Sequence, residues 1–160
     1  MVRGYFGEHG LPILSAVIAF PSLQDTVPPQ PIHLLVDTGA TASLVAPKDT
    51  FNLGLVPHLS QLQESALKKY GIDGPVTTPF YELQAVIVLP GEPDHESFLF
   101  GEAGLGTLGV MVPPANEPVP PTLSLLGWDV LHHFILVFSE PPRSFSLYRR
   151  AELPFTLSSD

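Results

Sequence analysis

The sequence predicts an all-β fold, and three observations carry that prediction. Its 160 residues include 19 prolines and 13 glycines, which disfavour long helices and suit turns and strand edges. Short apolar runs recur between these breakers, notably Leu11 to Phe20, Ile32 to Val36 and Leu83 to Leu89, as strands do. Two further stretches, Glu64 to Tyr70 and Pro75 to Tyr81, flank Gly71-Ile72-Asp73-Gly74. Two glycines around so short a tip read as a β-hairpin.

In chain order, Gly4 to Gly10 reads as a short, turn-rich opening before the Leu11 to Phe20 strand. That strand is apolar on both faces, so cover is expected on both sides. Ser22 to Pro31 holds Asp25, Pro28, Pro29 and Pro31 and reads as a loop. Ile32 to Val36 is the second strand, and Ser43 to Ala46 continues extended after the turn that follows it. Pro47 to Leu53 suits a short helix, opened by Pro47 and stopped by Gly54. After the hairpin and the Leu83 to Leu89 strand, residues 90–121 are least regular. Phe98 to Phe100 and Leu108 to Val112 suit strands there, and Pro113 to Pro121 a loop. Leu123 to Leu126 is a strand ending at Gly127, Trp128 to His133 a helical turn or two, and Phe134 to Phe138 with Ser144 to Tyr148 a last hairpin. The tail after Arg149 is expected to be peripheral.

The bulk numbers restrict the function. The length fits one domain, residues 1–160, with a sizeable core. Hydrophobic residues make up 44% and charged ones 14%, a globular composition. Seven Lys plus Arg against 16 Asp plus Glu leave a net charge of -9. Nucleic acid and anionic membrane surfaces require a basic face, so neither is expected as a partner. There is no cysteine, which excludes disulfides, thiolate metal sites and cysteine nucleophiles. No apolar run has the length of a membrane span. Leu11 to Phe20 carries Pro12 and Ser15, and Arg3 upstream is balanced by Glu8. It therefore reads as a buried strand rather than a signal segment, and a cytoplasmic location is expected.

The chemistry concentrates at Leu34-Leu35-Val36-Asp37-Thr38-Gly39-Ala40. A carboxylate placed directly after a buried strand is costly unless it is hydrogen-bonded, paired or used. Gly39 permits a sharp turn that brings backbone N–H groups to the acid, and Thr38 adds a hydroxyl. Asp25-Thr26-Val27 and Asp49-Thr50-Phe51 repeat the dipeptide, but with neither the apolar run before it nor the glycine after it.

Three motifs in order resemble the retropepsin-like aspartic proteases. Asp37-Thr38-Gly39-Ala40 resembles their catalytic turn and Tyr70-Gly71-Ile72-Asp73-Gly74 their glycine-tipped flap. Leu125-Leu126-Gly127 followed by Trp128-Asp129-Val130-Leu131 resembles the strand and helix that pack under the site. The resemblance implies a single-lobe closed β-barrel with one short C-terminal helix, acting as a homodimeric aspartic endopeptidase. It implies catalytic roles for Asp37, Thr38 and Gly39, with the Thr38 hydroxyls interlocking across the two-fold axis. It further implies that Ala40, Tyr70, Gly71, Ile72, Asp73 and Gly74 bind substrate, an extended peptide or unfolded protein. No metal or other cofactor is called for. Peptide hydrolysis by this route needs two carboxylates holding one proton between them, and a two-fold axis supplies the second copy of Asp37. The dimer is expected to be held by the Asp37 turns and by apolar surface of Leu11 to Phe20 and of Phe134 to Phe138 with Phe145 and Leu147.

The sequence departs from the family pattern in two places. An acid often follows the Gly-Ala, and an Arg the later Gly. Here Thr41 and Trp128 stand there, so an ion pair is lost as a unit, and Trp128 is expected to substitute apolar packing. A catalytically silent dimeric binding module on the same fold is the alternative. Two weaker signals point to other ligands. Gly104-Leu105-Gly106-Thr107-Leu108-Gly109 spells a dinucleotide motif, but strand-like residues follow where a helix is needed. His132-His133 is adjacent rather than spaced for a metal, and reads as a polar helix end. His33 lies in the strand before Asp37, with its reach toward the site left open.

Overall fold

The computed structural model describes residues 1–61, 64–71, 74–91, 94, 96–100, 106–113, 115–116, 118–119, 121–139 and 143–149. Its organising strand is β3, Gln30–Val36, whose alternation is plain: Ile32, Leu34 and Val36 are buried while His33 is exposed. Earlier strands are β1, Val2–Phe6, and β2, Pro12–Ala19. After β3 come β4, Leu44–Val45, helix α1, Pro47–Asn52, and the long hairpin β5, Glu64–Gly71, with β6, Gly74–Leu83. Then follow β7, Ala85–Leu89, β8, Glu96–Phe100, β9, Leu108–Met111, and β10, Ser124–Leu126. Helix α2, Trp128–Leu131, leads into the closing hairpin of β11, Ile135–Ser139, and β12, Ser144–Tyr148. The fold is all-β, as the sequence predicts, with two short α-helices, within Pro47 to Leu53 and Trp128 to His133, the two stretches that read as helical.

Hydrogen bonding runs β11-β12-β1-β2-β3-β10-β4-β9-β6-β5, and β7 with β8 branches from β2. Among the described residues no pairing joins β11 to β5, so the sheet is described as branched, without the closure into a barrel that the resemblance implies. The fork has a geometric cause. One edge of β2 is filled by β3 from Ile13 to Ile18. The other edge is shared, with β1 at Pro12 and Ile13 and β7 from Val17 to Ala19. A strand long enough to hold two neighbours on one side splits the sheet into two wings.

Strand β1 falls where the sequence reads as turn-rich. Gly4 faces Phe145 in the register with β12, and the Phe145 ring lies over the glycine, where an added Cβ would come within 2.0 Å of it. The glycine makes room for the aromatic ring; it does not break the strand. The core gathers Leu14, Ile18 and Phe20 of the β2 region with Leu34, Val36, Ile87, Leu126, Val130 and Phe145.

The cover expected on both faces of β2 is incomplete: Leu14, Ala16, Ile18 and Phe20 are buried, but Ser15 and Val17 are exposed. Much of the apolar surface expected to glue two chains together is used inside the lobe. Phe145 and Leu147 are fully buried, and Phe138 remains outside, 59% exposed and stacked on Phe6 at 5.8 Å between ring centroids. Among the described residues no helix is long and apolar enough to cross a membrane.

Candidate active site

Strand β3 delivers Asp37 beside β10. The two strands run parallel, with Leu125 opposite Leu35 and Leu126 opposite Val36. On its other edge β10 meets β4 antiparallel, Leu125 facing Leu44. The chain therefore leaves β3, turns through residues 37–43, and returns as β4 on the far side of β10. Leu125-Leu126-Gly127, far away in sequence, fills the gap between the two strands that carry the turn.

The turn is closed by its own residues. The Ala40 N–H donates to the Asp37 carbonyl at 3.2 Å, and the Asp37 N–H to the Leu126 carbonyl at 3.1 Å. The Gly39 N–H donates to Asp37 Oδ1 at 2.9 Å, the local side-chain bond that aspartate favours in turns. Asp37 is half-buried, while Thr38 and Gly39 are exposed. One carboxylate oxygen is thus fixed by the backbone of the same turn.

A second set of bonds locks the turn to α2, and sequence reasoning missed it. Ser43 is buried at 2% exposure. Its N–H donates to Asp129 Oδ2 at 2.8 Å and its hydroxyl to Asp129 Oδ1 at 2.7 Å. The Gly127 N–H donates in turn to Ser43 Oγ at 2.9 Å, and Asp129 Oδ1 also accepts from the Val130 N–H at 2.9 Å. Two backbone bonds run alongside, from Trp128 N–H to the Ala40 carbonyl at 2.8 Å and from Asp129 N–H to the Thr41 carbonyl at 3.2 Å. Gly127 allows this close approach, since a Cβ there would lie 2.5 Å from the Ala42 carbonyl carbon. Nothing in the local spacing marks Ser43 or Asp129, because their bonds join residues 86 positions apart.

Replacing Ser43 by Ala is expected to lower stability by about 1–3 kcal/mol, because it strands the buried Gly127 N–H and removes one partner of Asp129. Ser43→Thr, which keeps a hydroxyl, should recover most of the loss. Urea midpoints of the three proteins check this; equal midpoints for Ser43→Ala and the parent would mean the hydroxyl braces nothing.

Below Asp37 the outer face of β3, β10 and β4 is apolar. Leu11, Leu35, Leu44, Met111, Leu123 and Leu125 line a groove of about 360 Å³. Met111 faces Phe80 of β6 in register, so the base of the β5–β6 hairpin borders the groove. The hairpin pairs from Glu64↔Tyr81 to Gly71↔Gly74, placing Tyr70, Gly71 and Gly74 at its far end. Ile72 and Asp73, assigned to the tip from the sequence, lie outside the described residues.

His33 does not reach the site. It shares a face with Asp37 four positions earlier, about 13 Å along the strand. Its Nδ1 is engaged by Tyr5 Oη at 3.3 Å and Ser15 Oγ at 3.2 Å.

The other ligand signals are placed as follows. Gly104 and Leu105 lie outside the described residues, and strand β9 follows Gly106 where the dinucleotide motif needs a helix. His132 and His133 come just after α2, with ring centroids 3.8 Å apart, and His132 Nδ1 lies 2.8 Å from the Trp128 carbonyl, as its donor. Among the described residues no cluster of three or more metal-ligating side chains forms.

His133 has its pKa held below the ordinary 6.5, first by burial, then by the neighbouring His132 and Arg149 charges. The unfolded chain therefore takes up this proton before the folded one. The contribution of neutral His133 is complete above about pH 6.5 and is lost as pH falls below it. His133→Gln is expected to lose less stability on acidification than the parent, by a small margin because the ring is exposed. Thermal melts of both proteins from neutral to mildly acidic pH check this, and parallel losses would refute it.

Neither a family model nor a curated protein matches the chain. One solved structure that is similar to it is a retropepsin-like aspartic protease from Rickettsia conorii, with 15% sequence identity and a TM-score of 0.49. The alignment covers 91% of this chain and 88% of that one; a likeness so distant bears on no residue's chemistry.

Proposed function

We propose that the chain is one half of an aspartic endopeptidase, in which two copies of Asp37 meet across a two-fold axis and activate a water between them. The observation that carries the reading is the Asp37 turn. An accessible carboxylate is held by the Gly39 N–H at the end of a buried strand, and the turn is bolted to α2 by the Ser43–Asp129 bonds. A carboxylate needed only to cap a turn would not call for that second set of braces. The apolar groove beside it offers a place for a substrate side chain, and the β5–β6 hairpin bordering the groove supplies a cover for an extended peptide.

In this reaction one carboxylate takes a proton from water while its partner gives one to the scissile carbonyl oxygen. The resulting tetrahedral species collapses with proton transfer to the leaving amine. Two like charges at one site cannot both ionise easily, so the pair shares a proton, and activity should follow a bell-shaped pH profile on the acid side of neutral.

The test is cleavage of an unfolded protein at mildly acidic pH, with and without a hydroxyl-bearing mimic of the tetrahedral species, and with a chelator as control. Cleavage blocked by the mimic and indifferent to the chelator is the expected result. A sedimentation-verified dimer that cleaves nothing would favour the silent binding module instead.

A further inference from the structure

We infer that Trp128 is the anchor by which a second copy of this chain docks against the Asp37 turn; the inference rests on the dimeric reading above and names the surface it uses. Trp128 opens α2, whose Val130 and Leu131 are buried, yet Trp128 itself is 53% exposed. The helix thus packs by its other residues and leaves an indole in water, although a tryptophan offers more apolar surface to hide than any other side chain.

The backbone that carries that indole is tied to the turn. The Trp128 N–H is bound to the Ala40 carbonyl at 2.8 Å, and around it Thr38, Gly39, Thr41 and Ala42 are exposed. None of these five residues carries a charge. In a chain of net charge -9, a surface whose acids, Asp37 and Asp129, are both partly buried and whose centre is a large aromatic is where a like-charged copy meets least repulsion. Tryptophan at the centre of an interface is also where binding energy concentrates.

The occupant is a second copy because the site on this face is incomplete alone. One chain supplies one turn carboxylate and the chemistry needs two. Of the terminal strands, Phe145 and Leu147 are buried within the lobe, and Phe138, exposed as it is, already stacks on Phe6.

Trp128 is the sole tryptophan of the sequence, so intrinsic fluorescence reads this residue alone. The experiment is a dilution series of the full chain followed in parallel by sedimentation, by tryptophan emission with acrylamide quenching, and by activity. The expected result is a blue shift and a loss of quenching as the dimer forms, with the same midpoint in both signals. Trp128→Ala should weaken dimerisation at least about thirtyfold and leave the monomer's melting unchanged, while Trp128→Phe should weaken it less.

A dimer whose tryptophan stays as quenchable as in the monomer would overturn the inference and leave the dimeric peptidase standing. So would a Trp128→Ala protein that dimerises as the parent does. Emission that shifts on adding an uncleavable peptide, but not on dimerisation, would assign Trp128 to substrate and overturn it too. A monomer active at every dilution would overturn both the inference and the reading beneath it.

Discussion

Asp37→Asn is expected to fold as the parent does and to lose at least about a thousandfold in peptidase activity. The fold should survive because the bond that shapes the turn ends on one oxygen, Oδ1, which accepts from the Gly39 N–H. Asparagine keeps a carbonyl oxygen there and nearly the same shape. What it cannot do is take or give the shared proton. Stability should hold or rise, since in the proposed dimer two asparagines facing across a two-fold axis would not repel as carboxylates do. Asp37→Ala is the instructive contrast, because it also loses the turn bond and should cost about 1 kcal/mol. Mixing the parent with a ninefold excess of Asp37→Asn should lower activity per parent chain about tenfold, because nearly every parent chain then sits in a mixed dimer. Denaturant melts and the cleavage assay decide the matter together. A folded Asp37→Asn protein that still cleaves at the parent rate would remove Asp37 from the chemistry, and activity unaffected by mixing would remove the dimer.

Gly127→Ala is expected to cost about 3 kcal/mol or more of stability, a large share of what a domain of this size has. The backbone at Gly127 is extended, with φ -96 and ψ -172, which alanine adopts freely. The obstacle is space. The new methyl would lie 2.5 Å from the carbonyl carbon, 2.6 Å from the oxygen and 3.0 Å from the nitrogen of Ala42. All three are backbone atoms and cannot swing aside. Relief requires the turn to move away from α2, and that pulls on the Ser43–Asp129 bonds and on the Trp128 and Asp129 backbone bonds together. Activity should fall faster than stability as temperature rises, because the turn detaches before the sheet melts. Urea unfolding and a temperature series of activity measure the two losses. A Gly127→Ala protein within about 0.5 kcal/mol of the parent would mean that the turn and α2 are not in contact as described.

The parts legible from the sequence were those whose cause is local. Proline, glycine and short apolar runs placed most of the strands, and the paired glycines at 71 and 74 placed the β5–β6 hairpin. Pro47 and Gly54 bracketed α1. The Asp37 turn stood out because an acid following Leu34-Leu35-Val36 is rare and costly. What stayed hidden depends on distant partners. Strand β1 looked like a turn because Gly4 is explained only by the Phe145 ring across the sheet. The Ser43–Asp129 clamp left no periodic trace, and an aspartate in the first turn of a helix is ordinary. The fork at β2 also escaped, since strand length and polarity do not say that one edge will hold two neighbours. The branching at β2 leaves the elements around Asp37 undisturbed.

The long separation between β3 and β10 has a consequence during synthesis. The Asp37 turn emerges early, but its neighbours at Ser124–Leu126, Gly127 and Asp129 come almost ninety residues later. Local contacts form first and such distant pairings late. A growing chain therefore holds Asp37 on a turn whose far side is missing, with no Ser43 clamp and no β10 between β3 and β4. Whatever Asp37 does, it cannot be assembled to do it until the last quarter of the chain has left the ribosome. A site built this way stays unassembled while the chain is being made, with the order of its own elements as the timer.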